Sequence, residues 1–368
     1  MHEFIPLKVA DVRRETADAV VIGFELPRQH VEAFRFRPGQ HLALRVMLGG
    51  EEVRRTYSIC SGPEDPLLSV AVKRIAGGVF SDWANDAIAP GVEIDSMLPA
   101  GRFVLPEPPG EHGHVLAFAA GAGITPIMSM AEHAMVKQPG VRFTLIYGNR
   151  DAGSIIFRQR LEDLKDRYLE RFTLVHVLSR NEESDMPLLE GRIDQEKVAA
   201  FARHVFQVED VDHAFLCGPG SMIRDVRNAL FALGMARERV HHEFFAAGGG
   251  AYRQAGAASG QAALTASGSS AEAAGRRAEV VAIIDGIRHR FDVAPGEAIV
   301  DAALRQGVRA PYSCKGGMCS TCRAKLVEGK ATMAVNYSLE PWELEQDFLL
   351  ACQARPNSDR VVIDFDQM

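Results

Sequence analysis

The chain has 368 residues, 47% hydrophobic and 24% charged, with a formal net charge of −7. This length allows two or three domains, each with its own core, and the composition is ordinary for globular protein. The acidic balance argues against the basic footprint that non-specific nucleic-acid binding requires, and no run of about 18 apolar residues exists to span a bilayer.

The first ten residues carry an early acid, Glu3, and no long apolar stretch, so no secretory signal is expected and the cytoplasm is the expected location. Residues 1–107 show short β-like runs, Ala19–Phe24, His41–Val46 and Leu68–Arg74, separated by turn residues. Several short strands at this spacing predict an antiparallel barrel or sandwich. Arg55, Thr56, Tyr57 and Ser58 end one such run. A second, through Val72 and Lys73, leads by Gly77 and Gly78 to Ser81 and a helix expected to open near Asp82. A Gly-Gly turn with a serine at a helix start can cradle a phosphate. Arg55 could pair with the same phosphate, and Tyr57 offers a ring to a planar ligand. Taken alone, Arg-Thr-Tyr-Ser is what any amphipathic strand can show.

Residues 112–245 alternate apolar strands with helical stretches, which predicts a parallel α/β sheet. Its first strand runs into Gly121, Gly123, Thr125 and Pro126 and then a helix from about Ile127. Such glycines let backbone amides approach a pyrophosphate at a helix N-terminus, although small residues also sit there merely to let strand and helix pack. A second glycine turn, from Cys217 and Gly218 to Met222, follows a later strand. Two such turns at strand ends bracket one crevice, where open α/β sheets bind ligands. Cys217 reads either as a small buried hydrophobe or as a neighbour of a nicotinamide ring. Ser179 and Arg180 end the strand Phe172–Leu178, where an adenosine ribose would lie. An arginine there favours a 2′-phosphate, hence NADPH, with NADH left open.

Residues 246–275 are rich in Ala, Gly and Ser and lack periodicity, which reads as a flexible linker with a reach on the order of 30 Å. Beyond it, Glu279–Ile284, the turn Asp285-Gly286 and Arg288–Val293 predict a hairpin, since Asp-Gly supplies both positive φ values of a type I′ turn. A helix near 298–306 and a closing strand 361–365 complete a small α+β unit over 278–368.

Inside that unit Cys314, Cys319 and Cys322 are spaced C-x4-C-x2-C, and Cys352 stands alone downstream. This is the plant-type ligand pattern for a [2Fe–2S] cluster. Structural zinc sites usually show two short cysteine or histidine pairs, and disulfide frameworks belong to short secreted chains. Gly316 and Gly317 suit the tight wrapping of the ligand loop. Cys60 and Cys217 remain and are expected as reduced thiols. Glu340, Glu343, Glu345 and Asp347 precede Cys352 and read as a docking patch or, more simply, as a solvated helix face.

Taken together, these motifs resemble the ferredoxin–NADP⁺ reductase superfamily over essentially the whole chain. Flavin barrel, nicotinamide domain and C-terminal β-grasp ferredoxin follow in the order of oxygenase reductases. The resemblance implies that Arg55, Tyr57 and Ser58 hold the flavin phosphate, flank the ring system and hydrogen-bond near its N5. It implies further that Gly77, Gly78 and Ser81, with Val72 and Lys73 on the preceding strand, serve its pyrophosphate. Gly121, Gly123 and Pro126 match the nicotinamide motif, and Cys217, Gly218 and Met222 match a second one. Glu243 and Phe245 match the acid and aromatic that follow the last strand, with Phe245 standing where some relatives place a flavin-stacking tyrosine.

Stretches such as Tyr147–Asp151, Ser154–Arg158 and His176–Arg180 are similar to the subgroup that serves phenylacetyl-CoA epoxidase, and reductases of 3-ketosteroid 9α-hydroxylase share the domain order. The implied activity passes electrons from NADPH through FAD and a [2Fe–2S] cluster to an oxygenase, most simply a di-iron enzyme, with Ser58, Cys217 and Glu243 lining the hydride-transfer site. No side chain need act as acid or base in that transfer, because the cofactor carries the chemistry. Another class of reading, a redox sensor on an inactive reductase scaffold, would lack flavin that NADPH can reduce.

Overall fold

The computed structural model describes residues 4–106, 112–180, 186–244, 277–339 and 341–367. The linker expected over 246–275, Phe245 and Glu340 lie outside them. Contacts divide the chain at residue 248 into two compact units. Among the described residues no helix is long and apolar enough to cross a membrane.

The N-terminal unit begins with β1 (Ile5–Thr16), β2 (Ala19–Glu25), β3 (His41–Leu48), β4 (Glu51–Ser58), β5 (Leu68–Lys73), α1 (Val79–Asp86) and β6 (Glu93–Ser96). The strands form one antiparallel sheet in the order β4-β3-β6-β1-β2-β5. A bridge between Ile59 and Val70 joins its two edges, so the sheet closes into the expected barrel. Gly49 and Gly50, at φ +60° and +84°, make the two-residue turn between β3 and β4, a position where both residues must be left-handed. Leu7, Val9, Ile22, Phe24, Leu44 and Val70 are fully buried and fill the barrel.

The sheet that follows is parallel and comprises β7 (Gly113–Ala120), β8 (Val141–Asn149), β9 (Phe172–Leu178), β10 (His213–Gly218) and β11 (Val240–Phe244), ordered β11-β10-β7-β8-β9. Helices α2 (Ile124–Lys137), α3 (Arg158–Arg167), α4 (Gln195–His204) and α5 (Gly220–Ala232) connect the strands. Leu116, Ala117, Phe118 and Ala119 are buried on both faces of the sheet, as parallel strands require. Chain order reverses between β7 and β10, which creates the crevice where such folds bind ligands.

Barrel and sheet share one core. Ala19, Val21, Cys60 and Phe103 from the barrel side pack in the same cluster as Ile127, Met130 and Phe215, and the Phe103 and Phe215 rings meet edge-on at 5.3 Å. The Ser129 hydroxyl donates to the Ser61 carbonyl at 2.7 Å, and the Phe157 amide donates to Glu15 Oε1 at 2.9 Å. Phe157 is fully buried at φ +61°, an unusual conformation for a bulky residue, and the Glu15 bond holds it there.

The C-terminal unit contains β12 (Ala278–Ile284), β13 (Ile287–Val293), α6 (Ile299–Arg305), β14 (Arg323–Glu328), β15 (Ala331–Met333), α7 (Pro341–Glu345), β16 (Phe348–Leu350), β17 (Ala354–Pro356) and β18 (Arg360–Asp364). Its mixed sheet runs β13-β12-β18-β14-β16, with α6 packed in the same core, which is the expected β-grasp layout. Asp285 and Gly286 adopt φ +51° and +74°, confirming the predicted hairpin turn.

Candidate redox site

Ser58 ends β4 and Glu243 lies on β11, yet the Ser58 hydroxyl donates to Glu243 Oε2 at 3.3 Å. In the parallel register Glu243 sits beside Cys217, whose thiol is fully buried. Burial first, and the nearby Glu243 charge second, push the Cys217 thiol well above its ordinary range, so it stays protonated. The three residues expected to line a hydride-transfer site therefore converge at the switch point. Sequence reasoning missed a fourth, His41, which pairs with Ser58 across β3 and β4 and brings Nδ1 to 3.8 Å from Glu243 Oε1. The β3–β4 register that places it there leaves no signature in the sequence.

The two glycine turns meet here for a packing reason. A Cβ on Gly123 would lie 2.1 Å from the Cys217 carbonyl oxygen, a backbone clash that nothing nearby can relieve by moving a side chain. Gly121 is at φ +54°, and Gly218 abuts the Ala120 amide and the Met222 methyl. Thr125 and Pro126 are buried in the first turn of α2, and the Thr125 hydroxyl donates to the Ala122 carbonyl at 3.0 Å. Among these motif residues, Gly121 leaves space beside the turn, Gly123 lets the two turns close on each other, and Thr125, Pro126 and Met222 shape the turn from inside. The helix begins at Ile124, earlier than expected, because a 3-10 turn over Gly121–Gly123 feeds it directly.

On the barrel side, Gly77 is at φ +73° with open space where a Cβ would project, whereas a Cβ on Gly78 would meet Ser81 Oγ at 2.5 Å and the Ile75 carbonyl at 2.9 Å. Gly77 thus supplies the left-handed backbone and Gly78 the close approach to Ser81 and Ile75 that this loop requires, and the space beside Gly77 is open to a ligand. One correction concerns the helix: α1 opens at Val79 with Gly78 as its cap, so Ser81 lies within the first turn and not at the start. The Ser81 hydroxyl accepts from the Ile75 amide at 3.0 Å and donates to the Gly78 carbonyl at 3.0 Å, bonds that set the loop's shape. Val72 faces the barrel core. Arg55 is exposed, and its guanidinium donates to the Arg54 carbonyl at 2.7 Å. The Tyr57 ring rests on Phe80 at 5.2 Å.

Lys73 Nζ stands 3.9 Å from where a Gly121 Cβ would lie, so the strand after the flavin motif reaches the nicotinamide turn. Asp18, another residue sequence reasoning missed, accepts from Arg150 at 3.1 Å and pairs with Lys73 at 3.7 Å. Ser179 and Arg180 are exposed at the end of β9. The Arg180 amide donates to the Arg150 carbonyl at 2.8 Å, which brings two arginines side by side at adjacent strand ends.

In the C-terminal unit the four cysteines come together as two pairs. A hydrogen bond from Cys319 lowers the Cys314 thiol to about 6, and Cys322 and Cys352 share another. Contacts also cross the pairs, Cys352 with Cys314 and Cys319 with Cys322, so the four thiols neighbour one another and, with the C-x4-C-x2-C spacing, fit the ligand set of a [2Fe–2S] cluster. The Gly316 amide donates to Cys314 Sγ at 3.3 Å, and Gln353 Nε2 lies 3.6 Å from Cys352 Sγ. Gly317 has the expected positive φ, +76°, but Gly316 does not; Lys315 and Ser320 take the left-handed conformations instead, at +48° and +53°. Glu343 corrects another expectation: it is fully buried, not part of a solvated face. All six cysteines are free of disulfides, and burial pushes the Cys60 thiol up to about 12.

The chain matches the family models of the oxidoreductase FAD-binding domain over residues 6–105, the oxidoreductase NAD-binding domain over 118–228 and the 2Fe-2S iron-sulfur cluster binding domain over 282–357. It is 43% identical to a component of 1,2-phenylacetyl-CoA epoxidase from Escherichia coli (strain K12), across 100% of this chain and 99% of that protein. It is 36% identical to the ferredoxin reductase component of 3-ketosteroid-9-alpha-monooxygenase from Rhodococcus rhodochrous, across 98% and 96%. Among solved structures it shares the fold of phthalate dioxygenase reductase, with a TM-score of 0.57, 22% identity and 98% of each chain covered.

Proposed function

Since the chain belongs to the family of FAD- and [2Fe–2S]-containing reductase components of oxygenase systems, we propose that it carries electrons from NADPH to the di-iron oxygenase of a phenylacetyl-CoA epoxidase. Bound FAD would take a hydride from the nicotinamide, and the cluster would deliver electrons one at a time to the partner. The remaining work belongs to the protein. Gly121 would admit the nucleotide backbone where Gly123 and Gly218 let the two turns close, Arg180 would offer positive charge to a 2′-phosphate with Arg150, held by Asp18, beside it, and the loop of Gly77 and Gly78 would admit the flavin pyrophosphate. Ser58 and Glu243 keep a polar pair at the mouth of the crevice, while the neutral Cys217 thiol presents a small apolar wall. Cys314, Cys319, Cys322 and Cys352 would hold the two irons, and the reducing cytoplasm would keep the thiols available.

The observation that carries this reading is the meeting of Ser58, Cys217 and Glu243 at one junction, the flavin motif closing on the nucleotide turns. The acceptor is supported by the full-length similarity to the epoxidase component. An anaerobic titration with NADPH should bleach the flavin and then the cluster absorbance. Turnover should follow with a phenylacetyl-CoA-specific di-iron oxygenase. Coupling to a steroid hydroxylase but not to that oxygenase would favour the reading suggested by the 3-ketosteroid reductase, 36% identical to this chain. Flavin that NADPH cannot reduce would sink both.

A further inference from the structure

Arg323 is the residue after Cys322 and opens β14; Glu343 lies on α7, in the segment that leads through β16 to Cys352. The Arg323 Nε donates to Glu343 Oε1 at 2.6 Å, with Glu343 wholly buried and Arg323 13% exposed in its side chain. The same guanidinium lies 3.5 Å from the centre of the Phe348 ring and donates from Nη1 to the Gln367 carbonyl at 3.2 Å. One cation therefore touches α7, the first residue of β16 and the end of the chain at once.

The backbone around this pair links the two ligand segments. Arg323 pairs with Leu350 in the β14–β16 register, and the Ala351 amide donates to the Cys322 carbonyl at 2.9 Å. Three of the cysteines sit on one loop, so their spacing is set locally. Cys352 arrives from elsewhere, and its position depends on how the α7–β16 segment is held. That segment also contains a left-handed residue, Asp347 at φ +61°, whose carbonyl accepts from the Leu326 amide at 2.8 Å. A buried charge pair is costly to assemble and costly to break on one side, and its best-attested use is to fix register.

We propose that Arg323 and Glu343 form one positioning pair for the iron–sulfur site, locking the segment that carries Cys352 onto the strand that leaves Cys322. The inference rests on the [2Fe–2S] reading and goes beyond it, since neither residue is a ligand. The carboxylate neutralises the guanidinium beside Cys322, and the guanidinium, stacked on Phe348, fixes where β16 begins. Without either partner the ligand loop keeps three thiols but loses the fixed distance to the fourth. Partners that orient metal ligands typically contribute about 10- to 100-fold to metal retention.

The test uses the full-length chain and the variants Glu343→Gln, Arg323→Met and Arg323→Lys. Iron release to a chelator, followed by the loss of visible cluster absorbance, should quicken about 10- to 100-fold in the first two. Arg323→Lys, which keeps the charge but not the planar fork, should fall between them and the parent. The reduction potential supplies a readout that loosened packing alone would not produce. Glu343→Gln leaves an unneutralised cation and should raise it, whereas Arg323→Met leaves an unneutralised anion and should lower it. Flavin reduction by NADPH in the same samples reports that the N-terminal unit is intact. Release rates within about twofold of the parent in both variants, or potentials moving in the same direction, would overturn the proposal. A parent chain that binds no iron and sulfide would instead overturn the cluster reading beneath it.

Discussion

The Ser58 hydroxyl and the Glu243 carboxylate, 185 positions apart in the chain, meet at 3.3 Å where the barrel joins the parallel sheet. Each residue is positioned by its own domain, and the core that barrel and sheet share brings the two together. Ser58 depends on barrel closure through the Ile59–Val70 bridge, and Glu243 on the parallel pairing of β11 with β10.

Ser58→Ala should bind FAD but slow its reduction by NADPH. A hydrogen bond to a charged group contributes about 1.5–3 kcal/mol, so a loss of roughly 10- to 100-fold in the stopped-flow rate is expected. Glu243→Gln should act through the same contact, and the double substitution should cost less than the sum of the singles. Strict additivity would show that the two side chains act separately.

Gly123→Ala places a methyl 2.1 Å from the Cys217 carbonyl oxygen and must part the two turns. Overpacking of this kind costs about 1–3 kcal/mol, and the KM for NADPH should rise while dithionite still reduces the flavin normally. Gly77→Ala meets no neighbour and carries only the left-handed backbone cost of about 1–2 kcal/mol, visible as weaker FAD retention. Equal NADPH binding in the Gly123 variant and the parent would remove the packing argument.

Arg180→Ala should raise the KM for NADPH by about tenfold and leave that for NADH nearly unchanged, since a 2′-phosphate is the group lost from recognition. Adding Arg150→Ala should extend the effect by a smaller factor, because the Arg150 guanidinium is already held by Asp18 at 3.1 Å. An equal loss for both nucleotides would assign these arginines a general electrostatic role.

Acid should destabilise the N-terminal unit. Burial holds His114, His241 and His242 near about 4, well below the ordinary histidine range. Between about 6.5 and about 4 the unfolded chain takes up protons that the folded chain refuses, so stability is complete above this window and is lost as pH falls through it. One such histidine contributes on the order of 1–2 kcal/mol of loss by about pH 5. His114→Gln should narrow the difference in melting temperature between about pH 7.5 and about pH 5, whatever its effect at neutral pH. An unchanged difference would exclude His114 as a source.

Cys322→Ser should abolish bound iron and sulfide while leaving flavin reduction by NADPH intact, because the nucleotide and flavin motifs lie in the other unit. Iron and sulfide analysis with electron paramagnetic resonance of the reduced protein gives the readout. Full cluster content in the variant would break the ligand assignment.

Much of this was legible because it is local. The C-x4-C-x2-C run, the Asp285-Gly286 turn and the Gly-Gly step before α1 each depend on a few consecutive residues whose conformations are restricted by sterics or by ligand spacing. Even there the reading erred by small steps. Gly78, not Ser81, caps α1, because the serine hydroxyl closes on Ile75 and Gly78 instead. In the acidic run before Cys352, expected as a solvated face or a docking patch, Glu345 and Asp347 are exposed, but no local pattern shows that Arg323 reaches back to a buried Glu343.

By itself, the sequence carried the order of the three domains, the spacing of the four cysteines and the places of the glycine turns, all of which lie along the backbone. Only the tertiary structure decided which residues meet: Ser58 with Glu243, His41 beside them, Gly123 against Cys217 and Arg323 with Glu343. Those contacts come from barrel closure, strand order and core packing, which act between segments far apart in the chain and leave no periodic or spaced signature in either one.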